Sequence, residues 1–109
     1  MLVPILGSLN AERVLVFLQA REEGYARDIA RLFDTDVYGI QKQLDKLETG
    51  GVLSSQNVGK TRVYTFNPRY PFLKELRALL AKALTFYSPE EQEKLLMNRR
   101  RPRRKNKPL

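Results

Sequence analysis

The sequence predicts a mostly helical α+β domain, with three short helices, a two-stranded hairpin and a further long helical segment. Three observations predict it. Apolar residues recur at helical spacing in three consecutive stretches between residues 10 and 49. Gly50-Gly51 then stops that pattern, and two β-branched or aromatic runs flank Asn57-Val58-Gly59-Lys60, a hairpin signal. Beyond Pro71 the pattern is helical again and unusually apolar.

Each element has its own local cause. The first helix is expected over about 10–21. Ser8 or Asn10 is its cap, because either side chain can accept from the free amides of the first turn. Val14, Leu15, Phe17 and Leu18 form its apolar face. Glu22-Glu23-Gly24 ends it, with Gly24 suited to a left-handed C-terminal position. The second helix is expected over 26–33, with Ile29, Ala30, Leu32 and Phe33 facing inward. Asp34-Thr35-Asp36 is a turn, and Asp36 is placed to cap a third helix over 37–49. In that helix Ile40, Leu44 and Leu47 recur at i, i+4 and i+7, a buried stripe. Residues 52–56 and 62–66 read as strands, closed by Asn67-Pro68. A fourth helix is expected over 72–87. Ser88-Pro89-Glu90-Glu91 then reads as a new start, with Ser88 capping, Pro89 at the first helical position and Glu91 completing a capping box. That last helix would reach about residue 98.

Composition bounds the function. The chain has 109 residues, the size of one small domain, and 42% are apolar, enough for a core. Lys and Arg number 20 against 12 acids, a net charge of +8. Seven of those bases sit in residues 99–109, which hold no acid, so the remaining 13 are nearly balanced by the 12 acids. The body is close to neutral and the tail carries the basic character. With no Cys and no His, thiolate and imidazole metal sites, disulfides and Ser-His or Cys-His nucleophiles are excluded. The acids are scattered and no Gly-rich phosphate loop exists, so enzymatic function is not expected, nor is a cofactor. No apolar run approaches the ~20 residues that span a bilayer. The start lacks a basic n-region and a long apolar stretch. A soluble, cytoplasmic protein is therefore expected. The organisation read from these features is a domain over 1–70, C-terminal helices over 71–98 and a basic, disordered tail over 99–109.

Helix, helix, tight turn, helix, Gly-Gly, hairpin, helix is the order of a winged helix-turn-helix. Its third helix leaves one polar face uncovered, of a width that fits the B-DNA major groove.

Residues 7–68 resemble the ArsR-type winged-helix transcriptional regulators, with the MarR-like group as neighbour. The segments that carry the resemblance are Gly7 to Leu15, Tyr25 to Phe33, Ile40 to Leu53 with its Leu-Asp-Lys-Leu-Glu-Thr-Gly-Gly-Val-Leu core, and Gly59 to Pro68. The resemblance implies a recognition helix presenting Val37, Tyr38, Gln41 and Lys42 to the groove, with Gln43 or Lys46 reaching the flanking backbone. Gln41 can hydrogen-bond an adenine edge, and Lys42 can contact guanine or phosphate. It implies a wing in which Lys60, Thr61 and Arg62 approach phosphates or the minor groove, with Arg27 and Arg31 as secondary phosphate contacts. Each has a plainer reading: Lys42 and Lys46 as a solvated helix face, Tyr38 packed on Phe33, and Arg27 and Arg31 paired with Asp28 and Asp34. Two departures stand out. Metal-sensing members use Cys and His ligands, so a non-metal-sensing member is expected. Asp34 and Asp36 stand where the family carries Ser/Thr-rich groups, and acids beside a phosphate backbone are unfavourable unless one is held as a cap.

Residues 72–87 contain eleven apolar residues, more than one stripe against a wing core needs. Leu73, Leu76, Leu80, Leu84 and Tyr87 are the expected homodimer seam, an arrangement the resemblance also implies. Two recognition helices would then address half-sites ~34–36 Å apart. Arg99, Arg100, Arg101, Arg103, Arg104 and Lys105 form an electrostatic arm for phosphates. The expected function is a sequence-specific DNA-binding transcriptional regulator, most simply a dimeric repressor, with double-stranded DNA as partner and no membrane role. The alternatives are a winged-helix protein-interaction module, an antitoxin-like operon partner, or RNA binding through the basic tail.

Overall fold

A computed structural model describes residues 1–96, arranged as α1 (Val3–Leu6), α2 (Leu9–Arg21), β1 (Glu23–Gly24), α3 (Ala26–Leu32), α4 (Val37–Thr49), β2 (Leu53–Val58), β3 (Thr61–Phe66) and α5 (Leu73–Leu84). A further helix, α6, covers 89–96 and runs to the edge of the described residues. The expected end of that helix near residue 98 and the whole basic tail lie outside them.

The helix starts follow capping chemistry. Ser8, in an extended conformation, accepts from Ala11 N at 3.0 Å and is the cap of α2. Asn10 instead accepts from Arg13 at 3.0 Å. At α6 the capping box closes in both directions: Glu91 N donates to Ser88 Oγ at 3.2 Å and Ser88 N donates to Glu91 Oε1 at 3.0 Å. Asp36 occupies the N-cap position of α4, but its side chain makes no capping bond. The expected neutralisation of that acid as a cap is not realised.

The end of α2 differs from expectation. The left-handed residue is Glu22, at φ 73, rather than Gly24. Gly24 serves another need. It belongs to β1 and pairs with Tyr64 of β3, where a Cβ would stand 2.5 Å from Phe17 Cε1. Glycine is required there because strand and helix approach too closely for a side chain. This short strand escapes sequence reading because two residues carry no periodicity. It completes an antiparallel sheet of order β1-β3-β2.

The hairpin is longer than expected. Asn57 pairs with Arg62 and Val58 with Thr61, so only Gly59 and Lys60 form the turn. Gly59 has φ +64, the left-handed geometry that two-residue hairpin turns demand.

One core joins these elements. Val14, Leu15, Phe17 and Leu18 of α2 meet Ile29 and Leu32 of α3, Ile40 and Leu44 of α4, Leu53, Tyr64 and Phe66 of the sheet, and Leu80, Ala83 and Leu95 of the C-terminal helices. Leu47 is half-buried at its margin. Among the described residues Glu12 is the buried charged group, 3% exposed. It accepts from Leu2 N at 2.8 Å, from the terminal ammonium of Met1 at 3.3 Å and from the Tyr87 hydroxyl.

Candidate nucleic-acid interface

The helix α4 is anchored by one face and open along another. Ile40 and Leu44 are fully buried, while Val37, Tyr38, Lys42, Asp45, Lys46 and Thr49 are exposed. Thirteen residues at 1.5 Å each make a rod of about 20 Å, and a helix with its side chains is roughly as wide as the major groove. Beside it stands the hairpin, with Lys60 at its exposed tip.

The recognition-helix residues are not equally placed. Tyr38 is 69% exposed. Val37, Lys42 and Lys46 are exposed, and among the described residues no ion pair involves either lysine. Gln41 is half-buried and leans toward the wing, donating through Nε2 to Asp45 Oδ1 and to the Tyr64 hydroxyl, both at 3.0 Å. The tyrosine hydroxyl also lies 3.4 Å from Asp45 Oδ1 as a donor. Asp45 and Tyr64 therefore join the site; helical spacing puts Asp45 on the polar face of α4 with Gln41, whereas no spacing links Tyr64 to it. Tyr64 was legible only as a strand residue.

In the wing, Lys60 is free of the ladder at the turn, whereas Thr61 and Arg62 belong to β3. Arg62 donates to Asn57 Oδ1 at 3.1 Å and lies 4.0 Å from Glu48 Oε2. Glu48 also accepts from Ser55 Oγ at 2.7 Å, which ties α4 to β2. Of the secondary cations, Arg31 lies 3.5 Å from Asp28, while Arg27 is exposed. The face as a whole is mixed in sign. α4 and the turn before it carry the bases Lys42 and Lys46 together with the acids Asp34, Asp36, Asp45 and Glu48, and the wing adds Lys60 and Arg62.

The expected seam residues differ in exposure, Leu80 being fully buried and Leu73, Leu76, Leu84 and Tyr87 half-buried. The half-buried four pack against the core of the same chain. The physical reason is that α5 uses that stripe to cover α2. Its outward apolar residues are Leu79 and, at its flanks, Phe72 and Phe86.

A helix-turn-helix core with α4 exposed, followed by a two-stranded wing at its side, defines a winged helix-turn-helix. No family model and no curated protein matches the chain. Two solved structures of Lactococcus lactis ZitR, in a mutant with one cysteine and one histidine replaced by alanine, share the architecture. The apo form is 19% identical, covering 78% of this chain and 73% of that one, with a TM-score of 0.54. The other is 16% identical, covering 79% and 66%, with a TM-score of 0.50. At such identities the likeness is one of fold. Among the described residues no three acidic side chains gather as a metal site, and no helix is long and apolar enough to cross a membrane.

Proposed function

We propose that this protein is a sequence-specific DNA-binding transcriptional regulator of the ArsR-type and MarR-like group, acting as a dimeric repressor without a metal. The observation that carries this reading is the open face of α4, with Tyr38, Lys42 and Lys46 exposed beside a wing that ends in Lys60. Buried anchors hold the helix, so its outer side can enter a major groove as a rigid unit. The body supplies little net charge, and the basic residues from Arg99 to Lys105 supply phosphate affinity.

Fluorescence anisotropy on the protein's own upstream DNA and on a scrambled duplex tests this reading. Replacing Arg99, Arg100, Arg101, Arg103, Arg104 and Lys105 by glutamine should weaken both complexes alike and flatten the salt dependence, since phosphate contacts carry no base information. Tyr38→Ala and Lys42→Ala should instead narrow the gap between the two duplexes. If no duplex is preferred with the tail intact, the regulator reading fails.

Pairing draws on the outward face of α5 together with the half-buried Leu73, Leu76, Leu84 and Tyr87 of the expected seam. Leu79, Phe72 and Phe86 are exposed, and Phe86 borders an open groove with Met1 and Leu9. Exposed apolar area of this kind favours a second copy. Sedimentation at micromolar concentration should show a dimer for the native chain and a monomer for Phe86→Asp or Leu79→Asp. A monomeric native chain would remove the two-half-site model.

A second reading has one observation in its favour. Asp34, Asp36, Asp45 and Glu48 dilute the positive charge of the α4 face, which suits a winged-helix protein-interaction module. Under that reading Tyr38→Ala and Lys42→Ala leave DNA binding unchanged.

A further inference from the structure

The edge of α4 nearest the wing spends its hydrogen-bond donors inward. A glutamine amide has two N–H donors and one carbonyl acceptor. Gln41 uses Nε2 twice, toward Asp45 Oδ1 and toward the Tyr64 hydroxyl, each at 3.0 Å. Tyr64 is 1% exposed, and its hydroxyl turns its own proton toward Asp45 Oδ1 at 3.4 Å. The amide is thereby fixed in one orientation, and Oε1 is the atom of Gln41 left to bond elsewhere. Asp45 is an exposed carboxylate and so an acceptor throughout. Its Oδ1 carries the network, and among the described residues no donor is bonded to Oδ2.

We propose that Asp45 and Gln41 together form an acceptor-only reading head that selects cytosine in the major groove by taking a hydrogen of its N4 amino group. This rests on the DNA-reading function proposed above. In the major groove guanine offers the acceptors O6 and N7, and thymine offers the acceptor O4 beside a methyl group. Both repel a face made of oxygen lone pairs. Adenine offers an amino group, but with the N7 acceptor next to it, where a carboxylate is unwelcome. Cytosine offers its amino group alone, and carboxylate-to-N4 pairing is the natural match. The two-point contact of glutamine with adenine needs a free N–H, and Gln41 has none to give. Lys42 and Lys46 flank Asp45 on the exposed face and offset its repulsion from phosphates. Asp45 thus lowers affinity for wrong duplexes while adding discrimination for the right one. Tyr64 is a positioning residue: it holds the amide that holds the carboxylate.

Selection of the full-length protein from a random duplex library, followed by competition binding, tests this. The native chain should select a C·G pair whose replacement costs about tenfold in affinity. Asp45→Asn keeps an oxygen for the network and turns an N–H outward, so the preference at that pair should move to guanine or thymine. Asp45→Ala should lose the preference there and bind unrelated duplexes more tightly. Tyr64→Phe frees one Gln41 donor, so adenine should become tolerated at the same position, which a purely structural tyrosine would not bring about. A native consensus that persists unchanged in both Asp45 variants overturns the reading head and leaves the regulator function standing. A native chain that selects no sequence overturns the DNA-reading function, and the reading head with it.

Discussion

Glu12→Ala is expected to destabilise the fold by about 3 kcal/mol, because it strands buried donors as well as removing a charge. The carboxylate stands at the meeting point of three parts of the chain. Leu2 N donates to it from the N-terminal segment at 2.8 Å, the Met1 ammonium lies at 3.3 Å, and the Tyr87 hydroxyl reaches it from beyond α5. Alanine leaves the buried Leu2 amide and the part-buried Tyr87 hydroxyl without that acceptor. Chemical denaturation followed by circular dichroism measures the loss. A change below 1 kcal/mol would show that the cluster contributes little.

The same cluster fixes the pH response. Burial by itself raises the Glu12 pKa, but the hydrogen bonds from Tyr87, Leu2 and the terminal ammonium outweigh it and hold the carboxyl below its ordinary value of 4.5. A depressed carboxylate stabilises the fold above its unfolded value, and the contribution is lost as pH falls through the folded one. Tyr87 has the opposite sign. Burial first, and the Glu12 hydrogen bond second, push its hydroxyl above the ordinary 10.0. That contribution is complete below about pH 10 and is lost as pH climbs beyond it. Stability curves of the native chain should therefore fall on both flanks, and Glu12→Ala should flatten the acid flank.

Leu44→Ala is expected to cost about 3 kcal/mol, in the range for deleting a fully buried leucine, and to lower the melting temperature by roughly 10 °C or more. Leu44 is completely inaccessible and, with Ile40, anchors α4 to the core. The consequence should reach function. A looser α4 presents Tyr38 and Lys42 less rigidly, so discrimination between native and scrambled duplexes should fall more than affinity itself. The tail contacts need no α4 and should preserve the shared, sequence-blind part of binding. Thermal melts and paired anisotropy titrations separate the two effects. An unchanged ratio between duplexes in a folded Leu44→Ala protein would show that α4 is not the reader.

The chain determined much of this locally. The 3.6-residue recurrence of Ile40, Leu44 and Leu47, bounded by Asp36 and Gly50, placed α4 over Val37–Thr49. Ser88 and Glu91 placed the start of the last helix, because a capping box is a four-residue local pattern. Hairpin and winged-helix order followed from the same kind of punctuation. What the tertiary structure alone decided involves partners distant in sequence. Gly24 is a glycine for Phe17, not for its own φ. Leu73, Leu76, Leu80, Leu84 and Tyr87 pack against the core that α2 helps to form, while Leu79 stays exposed; the apolar pattern of α5 alone does not say which of its apolar residues meet the rest of the chain. Gln41 faces Tyr64 across 23 positions of chain, so a residue legible as a polar helix position becomes one whose donors are already committed. Local periodicity specifies which residues share a face. Packing against the rest of the chain specifies what that face meets, and that is the part on which function turns.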